Sequence, residues 1–424
     1  MALCVKKTNQ LYGDVSIPGS KSYTHRALII ASLGGSSQIR NPLVSSDTLA
    51  TKKACEALGA EITDRGGDWI VRGVEGEINF RKDTIDVSNS GTTLRLFTAL
   101  AALSGKHIRL LGDSSINSRP MKPLLDALSG WATIESDGGY PPLRLKNKRG
   151  AFGDEKIRIR GDVSSQFISA LLIVAPLVGL EIEIIGVLKS RPYVEMTLEL
   201  MNKAGMRVEV FDKGFFVEKQ AYGGYDYTVP GDYSSAANIL APAAFIESDV
   251  VLRNLYQNDS QGDKKILDVL EQMGAEIKRG EDYVRIRKAE SLVAVDFDAQ
   301  NTPDIVLPLV AVACFAKDIS FFRNIEHLRF KESNRLDACN EFSKLGASVR
   351  VLKDSVQVMG SSKIKAANMQ GFDDHRVVMA LAAAALNAVD GISRIDSAAM
   401  LNVSFPNYIE VMNSLGADLW LEDE

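Results

Sequence analysis

Apolar and polar positions along this chain follow a pattern that returns about every 70 residues. In each copy an amphipathic stretch ends at a glycine and continues into alternating apolar and polar positions. This phrase predicts the end of a helix, a glycine stop and the first strand of a hairpin. It recurs at Ala54–Ile62, Leu125–Gly130, Leu200–Gly205, Leu270–Ala275, Phe342–Ala347 and Met412–Ala417.

A second phrase has the same period and consists of a strand, a polar turn, a long apolar helix and another strand. An almost uniformly apolar helix, such as Val306–Phe315, is expected to be buried on every side. Each copy therefore reads as strand, helix, strand, helix and hairpin, which predicts α/β units that form two globular domains of three units each, with sheets around buried parallel helices. The copies start near Ser16, Ile85, Ile157, Thr228, Val295 and Ile364.

The two ends of the chain predict a discontinuous domain. The last copy stops at residue 424 without room for the second strand of a hairpin, whereas Leu3–Tyr12 precedes any complete copy. We therefore expect the N-terminal strand to complete the final copy. This places residues 1–19 and 231–424 in one lobe and residues 20–230 in the other, with linkers near Gly19-Ser20 and Pro230-Gly231 and the active site in the cleft between the lobes.

Composition narrows the function classes. The chain is 46% hydrophobic and 24% charged, as is ordinary for a globular protein. A net charge of −5 argues against a nucleic-acid partner held by a bulk positive field, but it allows a local cationic pocket. Residues 1–9 have no apolar core of a secretory signal, and the longest apolar stretches are too short to span a membrane, so we expect a cytoplasmic protein.

Metal and nucleotide sites are not indicated. The four cysteines are scattered without CxxC spacing and read as buried thiols in a reducing compartment. The four histidines are isolated, and neither GxGxxG nor GxxxxGK[ST] occurs. We therefore expect neither a metal nor a cofactor.

The turns before the apolar helices predict an anion site. Helix N-termini favour anions, and their serine, threonine and aspartate residues can act as caps. Lys21, Arg26, His375 and Arg376 instead oppose the helix dipole, so each needs an anionic partner. If the helix starts of both lobes converge, they form a site for a multiply charged ligand.

In each copy the second helix is the one that ends at the glycine, and the turns before these helices add further charged residues. Arg119 and Arg191 each precede a proline that is predicted to be the first residue of a helix. The stretch Arg329–Arg335 places three cations around Glu332, and such a mixed cluster suits proton transfer beside an anion.

The ordered motifs resemble those of the 3-phosphoshikimate 1-carboxyvinyltransferase (EPSP synthase) family over the whole chain. The resemblance implies two lobes of three βαβαββ units, an inverse α/β barrel, and transfer of the enolpyruvyl group of phosphoenolpyruvate to the 5-hydroxyl of shikimate 3-phosphate. It also implies a monomer that needs no metal. The motifs are Pro18–Ser22 with Arg26, Asn89–Thr93 with Arg95, Ser164–Gln166, Arg329–Arg335 and Asp374–Arg376.

The resemblance also implies roles for single residues. Asp304 accepts the proton of the 5-hydroxyl, and Glu332 with Lys21 handles the proton at the methylene carbon of phosphoenolpyruvate. Shikimate 3-phosphate is assigned to Lys21, Ser22, Arg26, Ser164, Ser165, Gln166, Ser190, Tyr193, Asp304 and Lys331. Phosphoenolpyruvate is assigned to Lys21, Asn89, Gly91, Arg119, Gln166, Arg335 and Arg376.

One departure and two alternatives accompany this reading. Many members have a lysine before the Ser/Thr-Phe-Pro motif, where this chain has Val403, so one phosphate contact is missing or comes from elsewhere. The related transferase that acts on UDP-N-acetylglucosamine is expected to have a Lys-Asn pair in the first turn and a reactive cysteine on a loop, whereas this chain has Lys21-Ser22 and Cys55 in a predicted helix. A non-catalytic anion-binding repeat protein needs no pair of proton-transfer groups such as Asp304 and Glu332.

Overall fold

The computed structural model describes residues 1–148, 155–361 and 363–423. The chain divides into two compact units. We call Met1–Ser20 with Pro230–Glu424 the terminal unit, and Lys21–Val229 the central unit.

The first half of the chain supplies two strands to the terminal unit and then builds the central unit. Its elements are β1 (Ala2–Lys6), β2 (Gln10–Ser16), α1 (Lys21–Leu33), β3 (Ser36–Arg40), α2 (Ser46–Leu58), β4 (Glu61–Arg65), β5 (Asp68–Arg72), β6 (Thr84–Asp86), α3 (Gly91–Ala102), β7 (Ile108–Leu111), α4 (Ser114–Asn117), α5 (Lys122–Leu128), β8 (Ala132–Asp137), β9 (Tyr140–Asn147), β10 (Glu155–Arg160), α6 (Ser165–Val178), β11 (Leu180–Ile185), α7 (Pro192–Lys203), β12 (Glu209–Phe211), β13 (Gly214–Val217) and β14 (Asp226–Thr228).

The second half completes the terminal unit, with short 3-10 helices between several elements. Its helices and strands are α8 (Tyr233–Ala243), β15 (Glu247–Arg253), α9 (Lys265–Gln272), β16 (Glu276–Arg279), β17 (Tyr283–Arg287), β18 (Asp296–Asp298), α10 (Val306–Ala313), β19 (Ile319–Arg323), α11 (Arg335–Ala338), β20 (Ser348–Val351), β21 (Val356–Met359), β22 (Asn368–Met369), α12 (His375–Ala385), β23 (Ile392–Ile395), α13 (Tyr408–Ser414) and β24 (Asp418–Glu422).

Sheets of four strands surround buried helices in both units, which confirms the predicted α/β class. In each sheet a parallel pair continues into two antiparallel strands, as in the order β6-β7-β9-β8. The apolar helices α3 and α6 lie in the core of the central unit, and α8, α10 and α12 lie in that of the terminal unit. Every residue of α10 is buried because none of its side chains is polar.

The N-terminal strand belongs to the last sheet. β1 pairs in antiparallel fashion with both β23 and β24, so it takes the place that a hairpin strand holds in the other sheets. Two of the six copies exchange their first strands, because β2 pairs with β15 and β14 pairs with β3.

The recurring glycine stops follow from backbone geometry. Five of the six glycines in the helix-ending phrase have a positive φ, which a residue with a side chain rarely adopts. Glycine is therefore required where the helix turns into the hairpin. These residues are Gly59, Gly205, Gly274, Gly346 and Gly416.

The predicted second helices are less regular than the sequence suggested. Pro192 is the first residue of α7, as predicted, but Pro120 precedes α5 by two residues, and Pro123 lies in the first turn instead. The helix predicted before Gly346 is the single α-turn α11 followed by the 3-10 helix Cys339–Leu345.

Candidate active site

Helix starts come together on one side of the central unit. The side chain of Gln166, in the first turn of α6, accepts a hydrogen bond from Arg95 of α3 (2.5 Å) and donates one to Thr92 (3.0 Å). Arg26 of α1 reaches Ser169 of α6 at 3.4 Å. The beginnings of α1, α3 and α6 are therefore linked through polar side chains.

Lys21, the first residue of α1, has an anionic partner inside the protein. Its Nζ lies 2.9 Å from Oδ2 of Asp47, and both side chains are largely buried. We expected the cations at helix starts to need an anion, but not that a carboxylate of the chain supplies it here. A signal was present, since Ser45 caps α2 and an acidic residue in the first turn is favourable.

Arg26 is a buried cation whose hydrogen-bond acceptors are uncharged. Its guanidinium donates to Oγ1 of Thr197 (2.8 Å), to the carbonyl of Ser22 (3.0 Å) and to Oγ of Ser169. The side chain is 1% exposed, and no carboxylate of the described residues forms an ion pair with it. Burial lowers the pKa of Arg26 to about 10, against smaller effects of Tyr193 and Tyr23.

Arg119 lies against the beginning of α3. A Cβ atom on Gly91 would stand 2.3 Å from Nη1 of Arg119, so a side chain at this position would displace the guanidinium. Nη2 of Arg119 donates to Ser115 at 3.1 Å. Asn89 lies in the turn before α3. Ser190 lies two residues before α7 and has a positive φ of 55°.

In the terminal unit, charged side chains connect the beginnings of α10 and α12. Asp374 caps α12 by accepting a hydrogen bond from the backbone N–H of Arg376 (2.9 Å). The guanidinium of Arg376 lies 3.0 Å from Oδ2 of Asp304, in the 3-10 turn before α10. Asp304 is thus the internal anion that faces Arg376.

Arg335 lies at the centre of three carboxylates. It donates through Nη2 to Glu332 (2.6 Å), through Nη1 to Asp304 (2.8 Å) and through Nε to Asp374 (2.8 Å). Burial lowers the pKa of Arg335, but the charges of these carboxylates outweigh burial and raise it well above its usual range. Nearby, burial lowers the pKa of Lys331 despite the opposing charge of Asp304.

The predicted site residues thus form one set in each unit. The central unit contains Lys21, Ser22, Arg26, Asn89, Gly91, Arg119, Ser164, Ser165, Gln166, Ser190 and Tyr193. The terminal unit contains Asp304, Lys331, Glu332, Arg335 and Arg376. Val403 is buried at the end of a 3-10 helix.

Asp263, which the sequence did not single out, lies in the 3-10 turn before α9 and places a titrating group against the first turn of α8. It accepts a short hydrogen bond from the hydroxyl of Ser234 and is 3% exposed. Burial, and then the charge of Asp304, raise the pKa of Asp263 to about 7. The folded protein therefore keeps this proton at a pH where the unfolded chain, with a pKa of about 4, has lost it.

We expect Asp263→Asn to stabilise the protein in a pH-dependent way. The native carboxyl costs stability increasingly as the pH rises from about 4 to 7, whereas the amide stays neutral. The unfolding free energy should rise by about 1–3 kcal/mol at pH 8 and change little at pH 4. Denaturant titrations at both pH values measure this change, and Asp268→Asn, at a half-buried carboxylate that pairs with Arg279, is the control. An equal effect at both pH values would contradict the raised pKa.

Two further observations concern the cysteines and the residue types that can bind metal ions. All four cysteines are free and buried, and burial raises the pKa of the Cys55 thiol in α2 to about 12. This does not suit the reactive loop cysteine expected of the UDP-N-acetylglucosamine enzyme. In residues 1–148, 155–361 and 363–423 no group of three or more histidine, cysteine or acidic side chains is arranged to hold a metal ion. Among the helices that the structure describes, none has the length and apolarity needed to cross a bilayer.

Two solved structures share this fold over essentially their full length. The EPSP synthase of Acinetobacter baumannii matches with a TM-score of 0.84, at 21% identity and 100% coverage of both chains. The enolpyruvyl transferase NikO of Streptomyces tendae matches with a TM-score of 0.79, at 17% identity, covering 99% of this chain and 98% of its own. The fold is therefore that of the enolpyruvyl transferases.

Sequence comparison narrows this class to one family. Residues 5–412 match the family EPSP synthase (3-phosphoshikimate 1-carboxyvinyltransferase). The 3-phosphoshikimate 1-carboxyvinyltransferase of Methanocaldococcus jannaschii is 42% identical over 429 residues, which cover 98% of this chain and 99% of that protein. That of Methanosarcina acetivorans is 42% identical over 432 residues, which cover 99% of each. The chain belongs to the EPSP synthase family.

Proposed function

We propose that this chain transfers the enolpyruvyl group of phosphoenolpyruvate to the 5-hydroxyl of shikimate 3-phosphate and releases phosphate. Two findings support the proposal: the chain belongs to the family, and it is 42% identical over nearly its full length to relatives named for this activity. The reaction is a step of chorismate synthesis and hence of aromatic amino acid biosynthesis.

The single observation that carries the proposal is the buried guanidinium of Arg26. A charge removed from water is costly unless it is paired, and neutral acceptors compensate it only in part. An anionic ligand group supplies the missing charge. We assign this group to shikimate 3-phosphate, together with Ser22, Ser164 and Ser165 near the starts of α1 and α6.

The remaining proposed roles are proton transfer and further contacts with the two substrates. Asp304 accepts the proton of the 5-hydroxyl while that oxygen attacks C2 of phosphoenolpyruvate. Glu332, with Lys21, gives a proton to the methylene carbon and later removes one as phosphate leaves from the tetrahedral intermediate. Shikimate 3-phosphate further contacts Lys21, Gln166, Ser190, Tyr193, Asp304 and Lys331, and phosphoenolpyruvate contacts Lys21, Asn89, Gly91, Arg119, Gln166, Arg335 and Arg376.

We also propose that both units serve the same pair of substrates in a cleft between them, in a cytoplasmic monomer. Variants of Lys21 in the central unit and of Asp304 in the terminal unit, tested for the same reaction, address the first part. Light scattering after size-exclusion chromatography addresses the monomer. Loss of activity from only one of the two units would contradict a shared site.

A phosphate-release assay tests the reaction directly. Purified protein with both substrates should release one phosphate for each 5-enolpyruvylshikimate 3-phosphate formed, as followed by a coupled phosphate assay and mass spectrometry. No release should occur when either substrate is omitted. Turnover of UDP-N-acetylglucosamine with phosphoenolpyruvate in place of this reaction would instead assign the related activity.

We expect Arg26→Met to separate stability from function. Methionine removes the buried charge, and the hydroxyls of Thr197 and Ser169 still bond each other at 2.8 Å. The unfolding free energy should therefore rise by about 1–3 kcal/mol, while KM for shikimate 3-phosphate rises about 100-fold. Chemical denaturation and initial rates measure the two effects.

Arg40→Met serves as the matched control, because Arg40 is only half-buried and pairs with Asp226. It should change the unfolding free energy by less than about 0.5 kcal/mol and leave KM unchanged. An unchanged KM in Arg26→Met would withdraw Arg26 from the substrate site.

A further inference from the structure

The carboxylate of Asp47 lies between two side chains of a neighbouring helix. Its Oδ2 is 2.9 Å from Nζ of Lys21 and 3.8 Å from Nε2 of His25, both on α1. Asp47 is 4% exposed, and it reaches this position from the first turn of α2. The contact therefore joins the beginnings of two helices of the central unit.

The charge state of this contact follows from its surroundings. Burial raises the pKa of Asp47, but Lys21 and then His25 hold it well below its usual range, so the carboxylate is ionised. Burial lowers the pKa of His25, against the opposing effect of Asp47, so the imidazole is neutral near pH 7. Arg26 is the other charged group that α1 places near His25, and it lowers this pKa further.

His25 extends the contact towards a third helix start. Its Nδ1 lies 2.6 Å from the hydroxyl of Thr51, which lies 2.6 Å from that of Thr93. Thr93 donates to Ser90, the N-cap of α3 (2.7 Å). Buried hydrogen bonds thus run from His25 to the cap that precedes Gly91, and Nε2 of His25 packs against the carboxylate of Asp47 at 3.8 Å without a hydrogen bond.

We propose that Asp47 is a positioning residue for the Lys21 ammonium, and that His25 and the hydroxyl network hold Asp47 in place. The inference deepens the proposed function, because it concerns the amine that we assign to both substrates. Lysine has a flexible stem and three N–H donors. One donor to Asp47 fixes the ammonium at the start of α1, where the helix dipole alone would repel it, and leaves two donors for substrate anions.

The first test follows the reactivity of Lys21 without any substrate. Acetic anhydride reacts with amines that it can reach, and the contact with Asp47 holds the Lys21 amine in a largely buried position. In Asp47→Asn, Lys21 should acetylate about tenfold faster at pH 8 than in the parent, as measured by peptide mass spectrometry. Asp47→Glu retains the charge and should stay within about threefold of the parent. An unchanged rate in Asp47→Asn would overturn the proposal.

The second test uses the reaction itself. Asp47→Asn should lower kcat about 100-fold and raise KM for both substrates, because Lys21 is assigned to both, and Asp47→Glu should restore most of both. Glu56→Gln, on the same helix and paired with Lys52, is the control and should leave both unchanged. A loss of kcat that Asp47→Glu does not restore would mean a structural role only. An inactive parent would refute the proposed function, whereas the acetylation result would still decide the role of Asp47.

Discussion

Lys21→Met is expected to lower kcat for enolpyruvyl transfer by at least about 10³-fold. The loss of one donor that stabilises developing charge typically costs about 10²–10³ in kcat, and the proposed role also includes proton transfer. Methionine keeps much of the length of the side chain but neither its charge nor its donors. The phosphate-release assay under saturating substrates measures the effect.

The same substitution should leave the protein folded but less stable. It removes the partner of the buried Asp47 carboxylate, so the unfolding free energy should fall by about 2–4 kcal/mol. Lys52→Met is the matched control, since Lys52 pairs with Glu56 on the surface of α2. It should change neither the rate nor, beyond about 1 kcal/mol, the stability. Parent-like turnover by Lys21→Met would remove Lys21 from the catalytic assignment.

The parts of the fold that sequence reasoning predicted are those encoded locally. The apolar run of α10 indicates burial on all sides wherever the helix lies. The glycine after each second helix, for example Gly274 with a φ of 108°, marks a backbone conformation that needs no tertiary contact to be recognised. Sixfold recurrence of such signals makes the α/β repeat and the number of sheets predictable.

The parts that sequence reasoning missed depend on contacts between distant segments. The pairing of β2 with β15 and of β14 with β3 joins segments roughly 200 residues apart, and the strands themselves carry no mark of this choice. The region around Arg119 shows a further limit. Either Pro120 or Pro123 could begin the next helix, and local preference does not distinguish them.

The residues of the candidate site also fall into those that the sequence indicates and those that only the fold brings together. The cations at the helix starts were visible because they conflict with the helix dipole, and a conflict between levels indicates a functional position. Their internal partners were not visible, because Asp47 lies on a different helix from Lys21 and Asp374 lies 39 residues from Arg335. Position along the chain does not determine such pairs, so their geometry comes only from the fold.

Asp304→Asn is expected to lower kcat by about 10²–10⁴-fold while changing the Kd of either substrate by less than about tenfold. The carboxylate oxygens lie 2.8 Å from Arg335 and 3.0 Å from Arg376, so Asp304 holds both arginines and is also the proposed proton acceptor. The amide retains one acceptor oxygen for an arginine but cannot take up the proton of the 5-hydroxyl. Single-turnover rates and calorimetric titrations separate the chemical step from binding.

Asp374→Asn distinguishes the two roles of Asp304, because Asp374 also holds Arg335 but has no assigned proton transfer. Asparagine still caps α12, so the fold should persist. This variant should raise KM for phosphoenolpyruvate with a smaller effect on kcat, which is the opposite of the pattern expected for Asp304→Asn. If both variants lose affinity alike and keep kcat, Asp304 only anchors the arginines. The proton of the 5-hydroxyl must then go to another group, and Glu332, which also pairs with Arg335, is the other carboxylate assigned to proton transfer.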